Sequence, residues 1–160
     1  MPPRTAPAPQ APAARRPPER FVDRHLPYLL ARASHALWRG FEPQVRAAGL
    51  NSLEWRVLAT LSDSTPLTIG ALAAEVLAKQ PTLTKSVDRL AAQGWVERLP
   101  DPADARRAQV RLTTAGAAKV APLRVAAEAH QAQRLDELGV QAPEALVLAL
   151  RALLARFDAG

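Results

Sequence analysis

Residues 79–113 read KQPTLTKSVDRLAAQGWVERLPDPADARRAQVRLT, and this stretch decides the fold. In its first part, residues 79–94, the apolar side chains Leu83, Val87 and Leu90 recur at the three- and four-residue steps of one buried helix stripe. Pro81 sits where a first helical turn tolerates a missing N–H, and Gly94 supplies a stop. With the stripe turned to a core, Gln80, Thr82, Thr84, Lys85, Ser86 and Arg89 are left around the outward surface. The second part changes period. Val96, and then Val110 and Leu112 alternating with Gln109 and Arg111, flank a polar, arginine-rich interval. That pattern predicts two short strands joined by a loop.

Just upstream, Thr68 can cap a short helix whose apolar face is Ile69, Leu72, Ala73 and Val76. Two short helices followed by a hairpin form a winged helix-turn-helix arrangement. The second helix fits the major groove, about 12 Å wide, while the first braces against the backbone. Its outward residues suit that use. Gln80 can pair bidentately with adenine, and Thr82 can offer its methyl to thymine or its hydroxyl to a base edge. Thr84 and Ser86 carry short hydroxyls, and Lys85 and Arg89, one turn apart, can reach phosphates or guanine. The place of Asp88 stays open. The same residues would also serve a plain solvated helix, and the basic hairpin tips the balance toward DNA. There Arg98, Arg106, Arg107 and Arg111 face Glu97, Asp101 and Asp104. A tip bearing Arg106, with Arg107 beside it, can enter a narrow minor groove, where negative potential is concentrated. Asp104 can pair with either arginine and hold the tip's shape.

Working outward, Leu26, Leu29, Leu30, Ala33, Leu37, Phe41 and Val45 predict a long helix ending near Gly49. Pro27 falls in its first turn, and Pro43 is expected to kink or shorten it. Asn51 or Ser52 can cap a helix with Trp55, Val57, Leu58 and Leu61, followed by a loop at 62–66. Thr113 and Thr114 can cap a helix with Val120, Leu123 and Val125, which Gly139 breaks. A last helix at 142–157 carries Leu146, Leu148, Leu150, Leu153 and Leu154. The class is mainly α with a small β-hairpin. We divide it into a disordered Pro/Ala/Arg-rich tail (1–19), an N-terminal helix contributing to dimerisation (20–49), a winged helix-turn-helix DNA-binding domain (50–113) and C-terminal dimerisation helices (114–158). Alanine supplies 34 of 160 residues, so the terminal helices are short of apolar area. A homodimer is the simplest way to cover them.

Composition removes several other functions. The chain has no cysteine, which excludes disulfides, thiolate nucleophiles and Cys-containing zinc sites. His25, His35 and His130 are far apart and form no metal-ligand motif, and no glycine-rich phosphate cradle occurs. No enzyme activity, cofactor or metal is therefore expected. No apolar run is long enough to span a membrane and no signal-peptide core is visible, so a cytoplasmic protein is expected. The net charge of +6 decides little, because Arg4, Arg15 and Arg16 in the first 18 residues carry half of it. Those three arginines leave the tail open between a solvated segment and an arm touching DNA phosphates.

The runs SLEWRVLATL, LTIGALAAEV and TLTKSVDRLAAQGWVERLPDPADARRAQVRLTTAG resemble the MarR (multiple antibiotic resistance regulator) family, over roughly residues 21–158. The resemblance implies a homodimer joined through its first and last helices that binds pseudo-palindromic double-stranded DNA, usually as a repressor. It puts Thr82, Thr84, Lys85 and Arg89 on the reading helix, and Asp104 and Arg106 at the wing aspartate and minor-groove arginine. Trp95 departs from the smaller aliphatic residue common there. It further implies a pocket for a phenolic or aromatic carboxylate effector, near which His25, His35, Trp38, Trp55 and Arg56 stand. Trp55 and Arg56 can offer a ring wall and a cation, although both tryptophans equally suit a core. The alternatives are an activator or dual regulator on the same fold, and an interaction module without specific DNA recognition.

Overall fold

A computed structural model describes residues 20–104 and 106–158. The expectations for the tail at 1–19 lie outside the described residues. The chain divides into two units, Met1–His35 and Ala36–Gly160.

In the first unit a single 3-10 turn, Phe21–Asp23, precedes helix α1, Leu26–Ala47, within which the division falls. The Arg20 guanidinium donates to the Asp23 carboxylate at 2.7 and 3.0 Å, and these bonds hold that carboxyl below its ordinary pKa. Pro27 lies in the first turn of α1, as its missing donor requires. Leu26 and Leu29 of the expected apolar stripe are exposed, as are Phe21 and Tyr28 beside them.

The second unit holds the rest of α1, then α2 (Ser52–Ser62), β1 (Leu67–Thr68), α3 (Ile69–Glu75), α4 (Gln80–Ala92), β2 (Val96–Pro100), β3 (Ala108–Leu112), α5 (Thr114–Glu137) and α6 (Pro143–Asp158). The expected hairpin is present and gains a third strand, in an antiparallel sheet of order β1-β3-β2 with Leu67 opposite Val110 and Thr68 opposite Gln109. Of the two outcomes expected at Pro43, shortening is corrected: helix α1 runs through it to Ala47, near the expected end at Gly49, forgoing the bond that a proline nitrogen cannot make.

Side-chain caps set the helix starts. Asn51 Oδ1 accepts from the Leu53 and Glu54 N–H groups at 2.9 and 3.0 Å. Thr68 Oγ1 accepts from Ala71 N–H at 3.2 Å, and Thr113 Oγ1 from Gly116 N–H at 3.0 Å. Each such cap stabilises its helix by about 1 kcal/mol. Val45, Val57, Leu58, Leu72, Val76, Leu83, Val87, Leu90, Val110 and Val120 form the fully buried centre of the core. Burial of each contributes about 1.5–3 kcal/mol and fixes which side of α4 faces outward. By contrast, no described residue of α6 is buried, and Leu146, Val147, Leu148, Leu154 and Phe157 are exposed on it.

Candidate nucleic-acid interface

Lys79 stands at the N-cap of helix α4, where its extended backbone lets its carbonyl accept the Thr82 and Leu83 N–H groups at 3.1 and 3.0 Å. Leu83, Val87 and Leu90 are buried, and the polar side of the helix is turned away from the core. Gln80, Thr82 and Lys85 are exposed there, while Thr84 and Ser86 are half-buried. The Thr84 hydroxyl donates to the Gln80 carbonyl at 2.9 Å, which spends its proton within the helix and leaves its lone pairs free. Thr82, Lys85 and Ser86 line an open groove of about 410 Å³ together with Asn51, Pro81 and Arg89.

Arg89 has a partner of its own. Its Nε donates to Glu54 Oε1 at 2.6 Å, and its Nη2 meets the same oxygen. Glu54 on α2 is 3% exposed, and its Oε2 accepts the Asn51 N–H at 2.9 Å in a capping box. The Arg89 side chain is still 57% exposed. Asp88, which the sequence leaves open, accepts from Arg98 Nη2 at 2.6 Å and ties α4 to β2.

In the wing, β2 and β3 pair from Val96 opposite Leu112 to Pro100 opposite Ala108. Arg111 Nε donates to Glu97 Oε1 at 2.7 Å. At the tip, Asp104 acts on backbone: its Oδ1 accepts the Arg106 N–H at 3.0 Å, and its carbonyl accepts the Arg107 N–H at 2.9 Å. The half of the tip nearer β2 is held by Asp101, 8% exposed, whose Oδ1 accepts the Ala103 N–H at 2.9 Å. The Asp101 N–H in turn donates to the Arg107 carbonyl at 3.0 Å. Arg98 and Arg111 are thus neutralised, whereas Arg106 and Arg107 are exposed and in no ion pair among the described residues. Two guanidinium groups on a braced loop, on the same unit as a hydroxyl-rich helix face with a lysine, suit a polyanion with grooves.

The residues expected near an effector pocket separate. His25 and His35 are exposed on the first unit. In the second, buried Phe41 meets Trp38 and Trp55 edge-on, with ring centroids 6.2 and 5.4 Å away. Both tryptophans are half-buried against the core. Arg56 is exposed and in no ion pair among the described residues. Sequence reading missed His130 beside this cluster: its ring lies 6.0 Å from Phe41, with Nε2 3.3 Å from the Leu37 carbonyl. It also missed Glu54, although Asn51 three residues before a glutamate is a visible capping-box signal.

The family model described as MarR family matches residues 48–107. The repressor IacR of Pseudomonas putida is 34% identical over 89 residues, covering 56% of this chain and 53% of its own length. The match thus spans about half of that relative. Among solved structures, a MarR family transcriptional regulator from Silicibacter pomeroyi DSS-3 shares 38% identity with a TM-score of 0.75, over 87% of this chain and 99% of that one. NadR in complex with 4-hydroxyphenylacetate shares 25% identity with a TM-score of 0.73, over 94% of this chain and 96% of that one.

Proposed function

This chain belongs to the MarR family of winged-helix, DNA-binding transcriptional regulators, which are not enzymes, and we propose that it acts as a homodimeric repressor released from its operator by a small aromatic acid or phenol. One observation carries the DNA-binding part: the polar face of α4 stands exposed on the same unit as a braced wing whose Arg106 and Arg107 lack ion-pair partners among the described residues. In this reading Gln80 and Thr82 meet base edges, while Thr84, Lys85 and Ser86 meet phosphates or bases. Arg106 enters the minor groove, Arg107 takes a neighbouring phosphate, and Asp104 keeps the tip in shape. Arg89 belongs to the same helix face.

Dimerisation is supported by the exposed apolar residues of α6 and, separately, by those at the start of α1. Two copies place two reading helices about one DNA turn, roughly 34 Å, apart on a pseudo-palindromic site. The effector reading is supported by the ligand in the NadR structure and by Trp38, Trp55 and Arg56. The rings offer an apolar wall, and Arg56 a cation for a carboxylate. Such a ligand shifts the protein only by binding its DNA-competent and DNA-incompetent shapes unequally. The protein would act in the cytoplasm, and no metal or cofactor is assigned to it.

The test is to select duplexes from a random pool and titrate the winner and a scrambled control at two salt concentrations. A specific regulator shows a surplus of about 10³-fold or more for the selected duplex, beside a salt-dependent term common to both. Equal affinity for the two would reject specific recognition and favour an interaction module.

A further inference from the structure

We propose that Glu54 is a positioning residue for the reading helix, and that Arg89 serves DNA recognition by gripping Glu54 rather than by touching a base or phosphate. The inference rests on the DNA-reading role proposed above and deepens it. Glu54 lies 35 residues before Arg89, on a different helix, and is nearly fully buried. Its two carboxylate oxygens divide the work. Oε2 closes the start of α2 through the Asn51 N–H, and Oε1 receives two groups of the Arg89 guanidinium. A buried carboxylate needs such partners, because an unpaired charge taken from water is strongly unfavourable.

The grip acts on orientation. Burial of Leu83, Val87 and Leu90 fixes which side of α4 faces outward, and hydrogen-bonded ion pairs, being directional where apolar contacts are not, refine the angle within that limit. Asp88 ties α4 to Arg98 on β2, and Arg89 ties it to α2. Two ion-paired bonds on adjacent residues, reaching two different elements, oppose rotation of the helix about its own axis. Rotation is what would carry Gln80 and Thr82 off their base edges. With two of its groups on Glu54, Arg89 has fewer N–H groups left to offer DNA.

The test is a double-mutant cycle read by DNA binding. Wild type, Glu54→Gln, Arg89→Gln and the double variant are titrated with the selected duplex and with its scrambled control. The titrations run at a temperature where circular dichroism shows each variant folded. Each single change is expected to weaken binding to the selected duplex about tenfold and to leave the scrambled duplex unaffected; the double variant loses no more than either single one. Additive losses, or a Glu54→Gln variant that binds as wild type does, overturn the proposal in favour of a direct base contact by Arg89. Equal weakening on both duplexes by Arg89→Gln overturns it in favour of a phosphate contact. If Glu54→Gln does not stay folded, Glu54→Asp replaces it in the same cycle: losses that do not add support the grip, and additive losses overturn it. If wild type shows no surplus for any selected duplex, the DNA-reading role fails, and this inference fails with it.

Discussion

Gly116, at the start of α5, lies directly against the carbonyl oxygen of Trp95 and leaves no room for a Cβ. The same junction is tied by Thr113, whose hydroxyl donates to the Gly94 carbonyl at 2.6 Å while accepting the Gly116 N–H. The end of α4, the root of the wing and the start of α5 therefore meet at one crowded point. Gly116→Ala would force backbone apart there. We expect a loss of about 1–3 kcal/mol in stability, read as a lower thermal midpoint. An unchanged midpoint would show that the junction yields freely.

Arg106→Ala is expected to weaken operator binding about tenfold or more, or about 1.4 kcal/mol, with the thermal midpoint unmoved. The bond that shapes the tip uses the Arg106 backbone N–H, which alanine retains. Equal affinity of variant and wild type for the selected duplex would count against wing insertion.

Lys85 and Thr82 share the groove on α4 but are expected to fail differently. Lys85→Ala should weaken all duplexes alike and lower the slope of log affinity against log salt by about 1. Thr82→Ala should instead change which base is preferred at one position. Repeating the selection with each variant separates the two, and a sequence preference altered by Lys85→Ala alone would reverse the roles.

Arg56→Ala is expected to keep DNA affinity while losing release by an anionic aromatic ligand such as a benzoate. The exposed guanidinium is in no ion pair among the described residues, so its removal breaks no ion pair seen there. An unchanged response to the ligand would remove Arg56 from the effector site.

Much of this was legible because it is local. Leu83, Val87 and Leu90 announce α4 by spacing alone, and Asn51, Thr68 and Thr113 announce helix starts through side chains that reach only two or three residues onward. Strand β1 was invisible for the opposite reason. Leu67 and Thr68 are too few to show a period, and only the approach of Val110 and Gln109 makes them a strand. The partners of the charged residues were equally hidden: nothing in the order of residues ties Glu54 to Arg89, or Asp88 to Arg98. The spacing of Asp104 suits pairing with an arginine side chain, yet Asp104 binds the Arg106 backbone, a distinction that only the turn's geometry makes. Trp38 and Trp55 suited a core as well as a ligand wall, and their packing around Phe41 is compatible with both.

The most direct measurement uses the absence of cysteine from the sequence. Lys79→Cys carries one thiol at the head of α4, to which a DNA-cleaving metal chelate can be attached. On the selected duplex, two cleavage centres in the major groove about one helical turn, roughly 34 Å, apart are expected. Tight binding without cleavage, or a single centre on a symmetric site, would contradict a pair of reading helices presented to one duplex.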